Sequence, residues 1–259
     1  MAEQGRKGIV YFVGAGPGDP ELITVKGLRL LQEAELVLYA GSLVNPVLLR
    51  HVRAGVPCCD TAALTLEEMV DLMEEAAAAG KVVVRLHSGD PALYGALQEQ
   101  LDALAERGIP FEIVPGVSSF LAAAALLGRE LTVPGGTQTV ILTRQGGRTP
   151  VPPSESLREL SRHRSTICLF LSVHLLAQAV EDLRVHFPPD TPAAVVARAS
   201  WPDARVIRAT LGDLEARVRE AGISKTALVF VGDFLAARGR RSFLYDPGFE
   251  HGCRGRERG

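Results

Sequence analysis

Surplus charge is the first thing this sequence lacks: 28 Lys and Arg against 30 Asp and Glu leave a formal −2. Bulk electrostatics therefore offer no attraction to nucleic acid or to an anionic membrane surface, and an anionic ligand would need local arginines to hold it. Paired cysteines are missing too. Cys58, Cys59, Cys168 and Cys253 form no C-x-x-C, and two are adjacent, which suggests neither a zinc knuckle nor a disulfide framework. The histidines, His51, His87, His163, His174, His186 and His251, make no H-E-x-x-H, so no metal site is expected. The longest uncharged stretch, 113–128, contains Pro115 and Gly116 and is too short to span a bilayer. The start, 1–7, is polar, and the apolar run 9–13 ends at once in Gly14-Ala15-Gly16-Pro17-Gly18-Asp19, unlike a secretory segment. A soluble, cytoplasmic protein is the expectation.

What is present is ordinary globular stock, 47% apolar and 22% charged, long enough at 259 residues for two modest domains or one large one. Short β-branched runs at 9–13, 36–39, 81–86, 111–114, 139–143, 166–171, 193–198, 205–211 and 227–231 read as strands. Most are continuously apolar, which fits strands covered on both faces by crossover helices. Amphipathic runs at 66–79, 93–107, 118–127 and 175–187 read as helices, and Thr65 with Glu68 forms a capping box before the first. The fold class is α/β. Two glycines, three prolines and no apolar periodicity at 144–156 mark a linker or an ordered loop. This predicts an N-terminal α/β domain at 1–143, a C-terminal α/β domain at 157–240 and a disordered tail at 241–259.

Chemistry concentrates in the loops after strands. Gly18-Asp19-Pro20 and Gly89-Asp90-Pro91 each follow a strand and are expected to open a helix, Asp capping and Pro taking the first turn. Capped turns would explain both tripeptides. So would a ligand site, because open α/β sheets bind ligands at the carboxyl ends of strands. Gly14–Asp19 is not a dinucleotide fingerprint: Asp19 stands where the third glycine belongs, and Tyr39-Ala40 supplies no ribose acid. No Lys followed by Ser or Thr closes a phosphate loop. Pro115-Gly116-Val117-Ser118-Ser119 lacks the G-x-S-x-G offsets of a serine hydrolase. Ser118 suits a plain N-cap or a ligand contact equally, and His87, beside the Ser88-Gly89-Asp90 loop, is placed to meet substrate.

Four blocks, in this order and spacing, resemble the tetrapyrrole (corrin and porphyrin) methyltransferases over roughly residues 8–235. They are Val13-Gly14-Ala15-Gly16-Pro17-Gly18-Asp19-Pro20, Leu22-Ile23-Thr24-Val25-Lys26-Gly27, Arg85-Leu86-His87-Ser88-Gly89-Asp90-Pro91 and Val114-Pro115-Gly116-Val117-Ser118-Ser119. Further blocks are similar to the branch that methylates C11 of precorrin-4 or its cobalt-loaded form. These are Leu38-Tyr39-Ala40-Gly41-Ser42-Leu43-Val44-Asn45-Pro46, Gln138–Arg144, Gly147-Arg148-Thr149-Pro150 and Arg198-Ala199-Ser200-Trp201-Pro202-Asp203.

The resemblance implies two α/β domains with S-adenosylmethionine (SAM) in a cleft between them, a homodimer, and a role in cobalamin biosynthesis. It implies SAM contacts at Pro17, Ser88, Gly89, Asp90, Leu93, Ser118, Ser119, Leu171 and Ala199, the last two from strand alignment. The related uroporphyrinogen methyltransferases carry an Asp after the second-strand Tyr, where this chain has Ala40, so no general base is assigned. Because the substrate bears many carboxylates, Arg85, Arg144, Arg148 and Arg198 are the candidate partners, together with His87. Arg144 and Arg148 read equally as a solvated linker. The alternatives are methylation at another ring carbon or of uroporphyrinogen III, and a non-catalytic or NAD-using nucleotide-binding protein.

Overall fold

The structure is a computed structural model and describes residues 8–237, 241–246 and 248–249. His251, Cys253 and most of the expected 241–259 tail lie outside the described residues. One compact unit takes the described residues up to Ala122 together with Arg198–Ala204; the other takes Ala123–Ala197 and the described residues from Arg205 onward.

The sheet of the first unit is wholly parallel. Its strands are β1 (Ile9–Gly14), β2 (Leu36–Tyr39), β3 (Cys58–Asp60), β4 (Val82–His87) and β5 (Phe111–Val114), in the order β3-β2-β4-β1-β5. Three helices cross between them. Thr24 caps α1 (Val25–Glu33) by accepting from the Gly27 N–H. The predicted Thr65–Glu68 capping box opens α2 (Leu66–Ala78), and α3 (Gln98–Glu106) precedes β5. Side-chain alternation divides the core. Val10, Phe12, Leu38 and Val83 pack on α2 and α3 through Met73, Leu101 and Leu104. Tyr11, Val13, Val37, Val84 and Leu86 pack on the other face, with Leu30 and Leu31 of α1. From β1 the chain runs to β2 on one side, and from β4 it runs to β5 on the other. The loops leaving these two adjacent strands thus turn to opposite faces, which makes a switch point at their carboxyl ends. After β5 comes α4 (Ser119–Leu127).

The second unit holds a mixed sheet. Its strands are β6 (Val140–Arg144), β7 (Thr166–Phe170), β8 (Pro192–Ala197), β9 (Arg205–Thr210) and β10 (Ala227–Val231), in the order β6-β7-β10-β8-β9. Only β6 and β7 pair in parallel. Leu157 of α5 (Leu157–Leu160), Leu176, Ala179 and Leu183 of α6 (Leu176–Leu183), and Leu214 and Val218 of α7 (Leu214–Glu220) cover one face.

Three expectations change. Continuous apolar runs at β8 and β10 report burial on both faces, not parallel pairing, because antiparallel strands are equally apolar once covered. Val140–Arg144 is a strand of the second sheet, so 144–156 is a loop within the second unit and does not divide the chain. Its glycines and prolines signalled missing regular structure, which says nothing about the sheet its flanks join. Neither Gly-Asp-Pro opens an α-helix directly. Pro20–Leu22 is a single 3-10 turn before α1, and α3 starts only at Gln98. There Tyr94 (φ 55°) and Ala96 (φ 46°) are left-handed, which no helix permits.

Candidate active site

The loops after β1, β4 and β5 are locked together through backbone. Gly16 and Gly89 exchange N–H···O bonds of 3.3 and 2.8 Å, and the Ala15 N–H donates to the His87 carbonyl at 2.8 Å. A methyl group on Gly14 would lie 2.5 Å from the Cα of Gly116, and one on Gly116 would lie 2.2 Å from the Gly89 carbonyl oxygen. No other residue type allows these chains to approach so closely. Asp90 joins the last two loops. One carboxylate oxygen accepts from the Ala92 N–H and the other from the Gly116 N–H, both at 2.8 Å. The carboxylate thus closes its own turn and straps the β5 loop to it. Gly89 (φ 65°) leaves open the ground over Ser118 and Ser119: an added Cβ there would sit 3.6 Å from the Ser119 nitrogen.

A second layer holds the β1 loop from outside. The buried Asn45 donates from Nδ2 to the Gly18 carbonyl at 2.7 Å, while its Oδ1 accepts from the Val47 N–H. Trp201 donates from Nε1 to the Pro17 carbonyl at 3.0 Å, and Ser200 Oγ accepts from the Asp19 N–H at 3.0 Å. The Arg198 guanidinium lies 4.1 Å from the Trp201 ring centroid and forms an ion pair with Asp203 at 2.7 Å.

The structure therefore gathers Pro17, Ser88, Gly89, Asp90, Leu93, Ser118, Ser119, Arg198 and Ala199 around strand ends of the first unit. Leu171 sits in the second unit at the end of β7. Of the non-glycine residues with positive φ among those described, four fall in the first unit's loops, Tyr94, Ala96, Arg198 and Ser200, and Leu171 follows β7 in the second. Each costs about 1 kcal/mol or more, and such strain gathers where surrounding structure imposes a functional geometry.

Arg85 and His87 are placed differently from the expectation that they meet substrate. Alternation along β4 turns both onto the α3 face with Val83, and they are 6% and 4% exposed. Arg85 donates to Gln100 Oε1 at 3.4 Å and to the Leu86 carbonyl at 3.3 Å, and burial lowers its pKa to about 10, still cationic at neutral pH. Gln100 passes the contact on, donating to the carbonyl of the strained Ala96 at 2.7 Å. His87 packs on Phe12 with ring centroids 5.8 Å apart, and its buried Nε2 has no partner. Burial first, and then the Arg85 charge, push its pKa down to about 3, against the opposing pull of Asp90 and a backbone hydrogen bond at Gly95.

In the second unit, Arg144, Gln145, Gly147, Arg148, Thr149, Leu171, His174 and Leu175 line a cleft of about 480 Å³. The two arginines differ. Arg144 donates to the carbonyls of Thr149 and Pro150 at 2.9 and 2.8 Å and so ties its own loop closed. Arg148 is exposed and makes no hydrogen bond or ion pair among the described residues. No group of three or more His, Cys, Asp or Glu among the described residues is arranged to hold a metal. No described helix is long and apolar enough to cross a membrane.

The sequence profile of the tetrapyrrole (corrin/porphyrin) methylases matches residues 9–215. The chain belongs to this family. A precorrin-4 C(11)-methyltransferase of Pseudomonas aeruginosa is 53% identical over 243 residues, covering 93% of this chain and 97% of the relative. Among solved structures, a cobalamin biosynthetic enzyme, cobalt precorrin-4 methyltransferase, superposes with a TM-score of 0.87 at 48% identity, covering 91% of this chain and 99% of that one. A uroporphyrin-III C-methyltransferase of Thermus thermophilus, complexed with S-adenosylhomocysteine, gives a TM-score of 0.73 at 33% identity, covering 88% and 98%.

Asn45, Ser200 and Trp201 were not picked out from the sequence as individual residues. A signal existed for Trp201, the chain's one tryptophan, beside a Pro-Asp turn.

Because His87 is neutral in the fold, the unfolded chain binds a proton there below its ordinary 6.5 that the folded chain refuses down to about 3. This contribution to stability is present above 6.5 and is lost as pH falls across that window. Urea unfolding of His87→Phe from pH 7 to 4 should show a shallower fall than wild type, by up to about 1.4 kcal/mol per pH unit. Equal slopes would contradict a neutral, buried His87.

Proposed function

We propose that this protein transfers a methyl group from SAM to C11 of precorrin-4, or of cobalt-precorrin-4, in cobalamin biosynthesis. The observation that carries this reading is the near-full-length similarity to a precorrin-4 C(11)-methyltransferase. Supporting it are the three locked loops, whose free surface at Gly89 is a cradle that any Cβ would fill. Such a surface suits the adenosyl and amino-acid portions of SAM, which need backbone close by and no phosphate grip. Pro17, Ser88, Gly89, Asp90, Leu93, Ser118, Ser119 and Ala199 would hold the donor, with Leu171 as a further contact. In the mechanism Asp90 would act through the loop it straps, since both its oxygens already accept backbone N–H groups.

SAM, when bound, supplies a methyl on a sulfonium that an electron-rich ring carbon can take by displacement. The chain's own contribution is to orient and to exclude water, and it assigns no side chain as nucleophile or base. Arg148, uncommitted at the rim of the 480 Å³ cleft beside His174, would pair with a substrate carboxylate. Arg144 would shape the loop that presents it. We also propose that the protein works as a cytoplasmic homodimer, and that the two compact units are its two α/β domains.

Incubation with SAM and precorrin-4, metal-free or cobalt-loaded, should give a product methylated at C11 in at least one case. Methyl transfer to another ring carbon, or only to uroporphyrinogen III, would overturn the assignment.

The two cleft arginines should separate. Arg148→Ala should weaken substrate binding by about one to two orders of magnitude, as expected for one charge-assisted hydrogen bond, and leave SAM affinity near wild type. Arg144→Ala should lower stability as well, by freeing the Thr149–Pro150 turn. Titration of both variants with both ligands decides this, and unchanged substrate binding by Arg148→Ala would rule out its carboxylate role.

A further inference from the structure

Pro17, Gly18 and Asp19 form the outer rim of the β1 loop, and one backbone group of each is engaged by a side chain from elsewhere in the first unit. The Pro17 carbonyl takes the Trp201 indole N–H, the Gly18 carbonyl takes the Asn45 amide, and the Asp19 N–H goes to Ser200 Oγ. The indole also closes on Gly18, where an added Cβ would fall 2.1 Å from Cδ1 and Nε1. The Arg198 guanidinium lies over the ring, itself fixed by Asp203.

The segment bearing Trp201 is wound tightly to reach this position. Arg198 (φ 51°) and Ser200 (φ 65°) are both left-handed without being glycine, and they flank the buried Ala199. Two strained residues in three persist only if neighbouring contacts over-determine them. Here those contacts are the two hydrogen bonds to the β1 loop and the Arg198–Trp201–Asp203 stack.

We propose that Arg198–Ala204 is a clasp that sets the position of the Pro17–Asp19 rim, with Trp201 as its positioning residue for the methyl donor. The inference rests on the reading that this rim and Ala199 bind SAM. Trp201 touches no reacting atom in this account. It fixes the carbonyl and turn against which the donor lies, so its effect falls on donor affinity.

Trp201→Phe removes the N–H together with the pyrrole edge that meets Gly18, and Ser200→Ala removes only the acceptor for Asp19. Each folded variant should bind S-adenosylhomocysteine about 3- to 10-fold more weakly by calorimetric titration, the range expected for one neutral hydrogen bond. In turnover, KM for SAM should rise by the same factor, while kcat and KM for the tetrapyrrole stay within twofold of wild type. A merely structural role would lower the urea midpoint without moving donor affinity in the folded protein. Wild-type affinity in both variants overturns the clasp. If Trp201→Phe fails to fold, Ser200→Ala alone decides. If the wild type itself binds no S-adenosylhomocysteine, the donor reading falls, and the clasp with it.

Discussion

Everything at the candidate site depends on three backbones approaching closer than side chains allow. Gly14, Gly89 and Gly116 end or follow three adjacent parallel strands, and the contacts of Gly14 and Gly116 leave no room for a single methyl group. Parallel strands bring their carboxyl ends to one edge, and the switch in direction between β1 and β4 opens that edge. The glycines then convert three separate turns into one surface of backbone, fixed by the Gly16–Gly89 pair and by the Asp90 strap. A donor with an adenosine and an amino acid, and no phosphate, is the kind of ligand such a surface suits.

Charge is handled just as locally. A nearly neutral chain has no general field with which to gather a polyanionic substrate. Most of the candidate arginines turn out to be spent on the protein itself: Arg85 on Gln100, Arg144 on its own loop, Arg198 on Trp201 and Asp203. That leaves Arg148, and it explains why residue type alone could not rank the four. An arginine is available to a ligand only if the fold has not already satisfied its donors.

The strands were legible because each is a short apolar run bounded by turn residues; β2, β5 and β10 begin and end where the sequence predicts. The edge strand Cys58–Asp60 was not, being three residues long and largely exposed. The start of α3 was misjudged because Leu93–Leu97 has helical periodicity, while its backbone is bent by two left-handed residues that only tertiary contacts impose. Arg85 falls inside the predicted strand and His87 just past it, but β4 runs on to His87 and alternation turns both inward, away from the loops. The glycine loops were visible as motifs, but their mutual contact was not, since it links residues far apart in the chain. The same holds for Trp201 on Pro17, 184 residues away.

The central claim is that the glycine lock builds the donor surface. The most direct measurement is titration of Gly116→Ala with S-adenosylhomocysteine, alongside its urea unfolding curve. The added methyl collides with the Gly89 carbonyl at 2.2 Å, and that overpacking should lower stability by about 1–3 kcal/mol while the chain still folds. The account predicts that donor affinity in this folded variant drops by more than about tenfold, because the β4 and β5 loops must part. Wild-type affinity in a folded Gly116→Ala would contradict it.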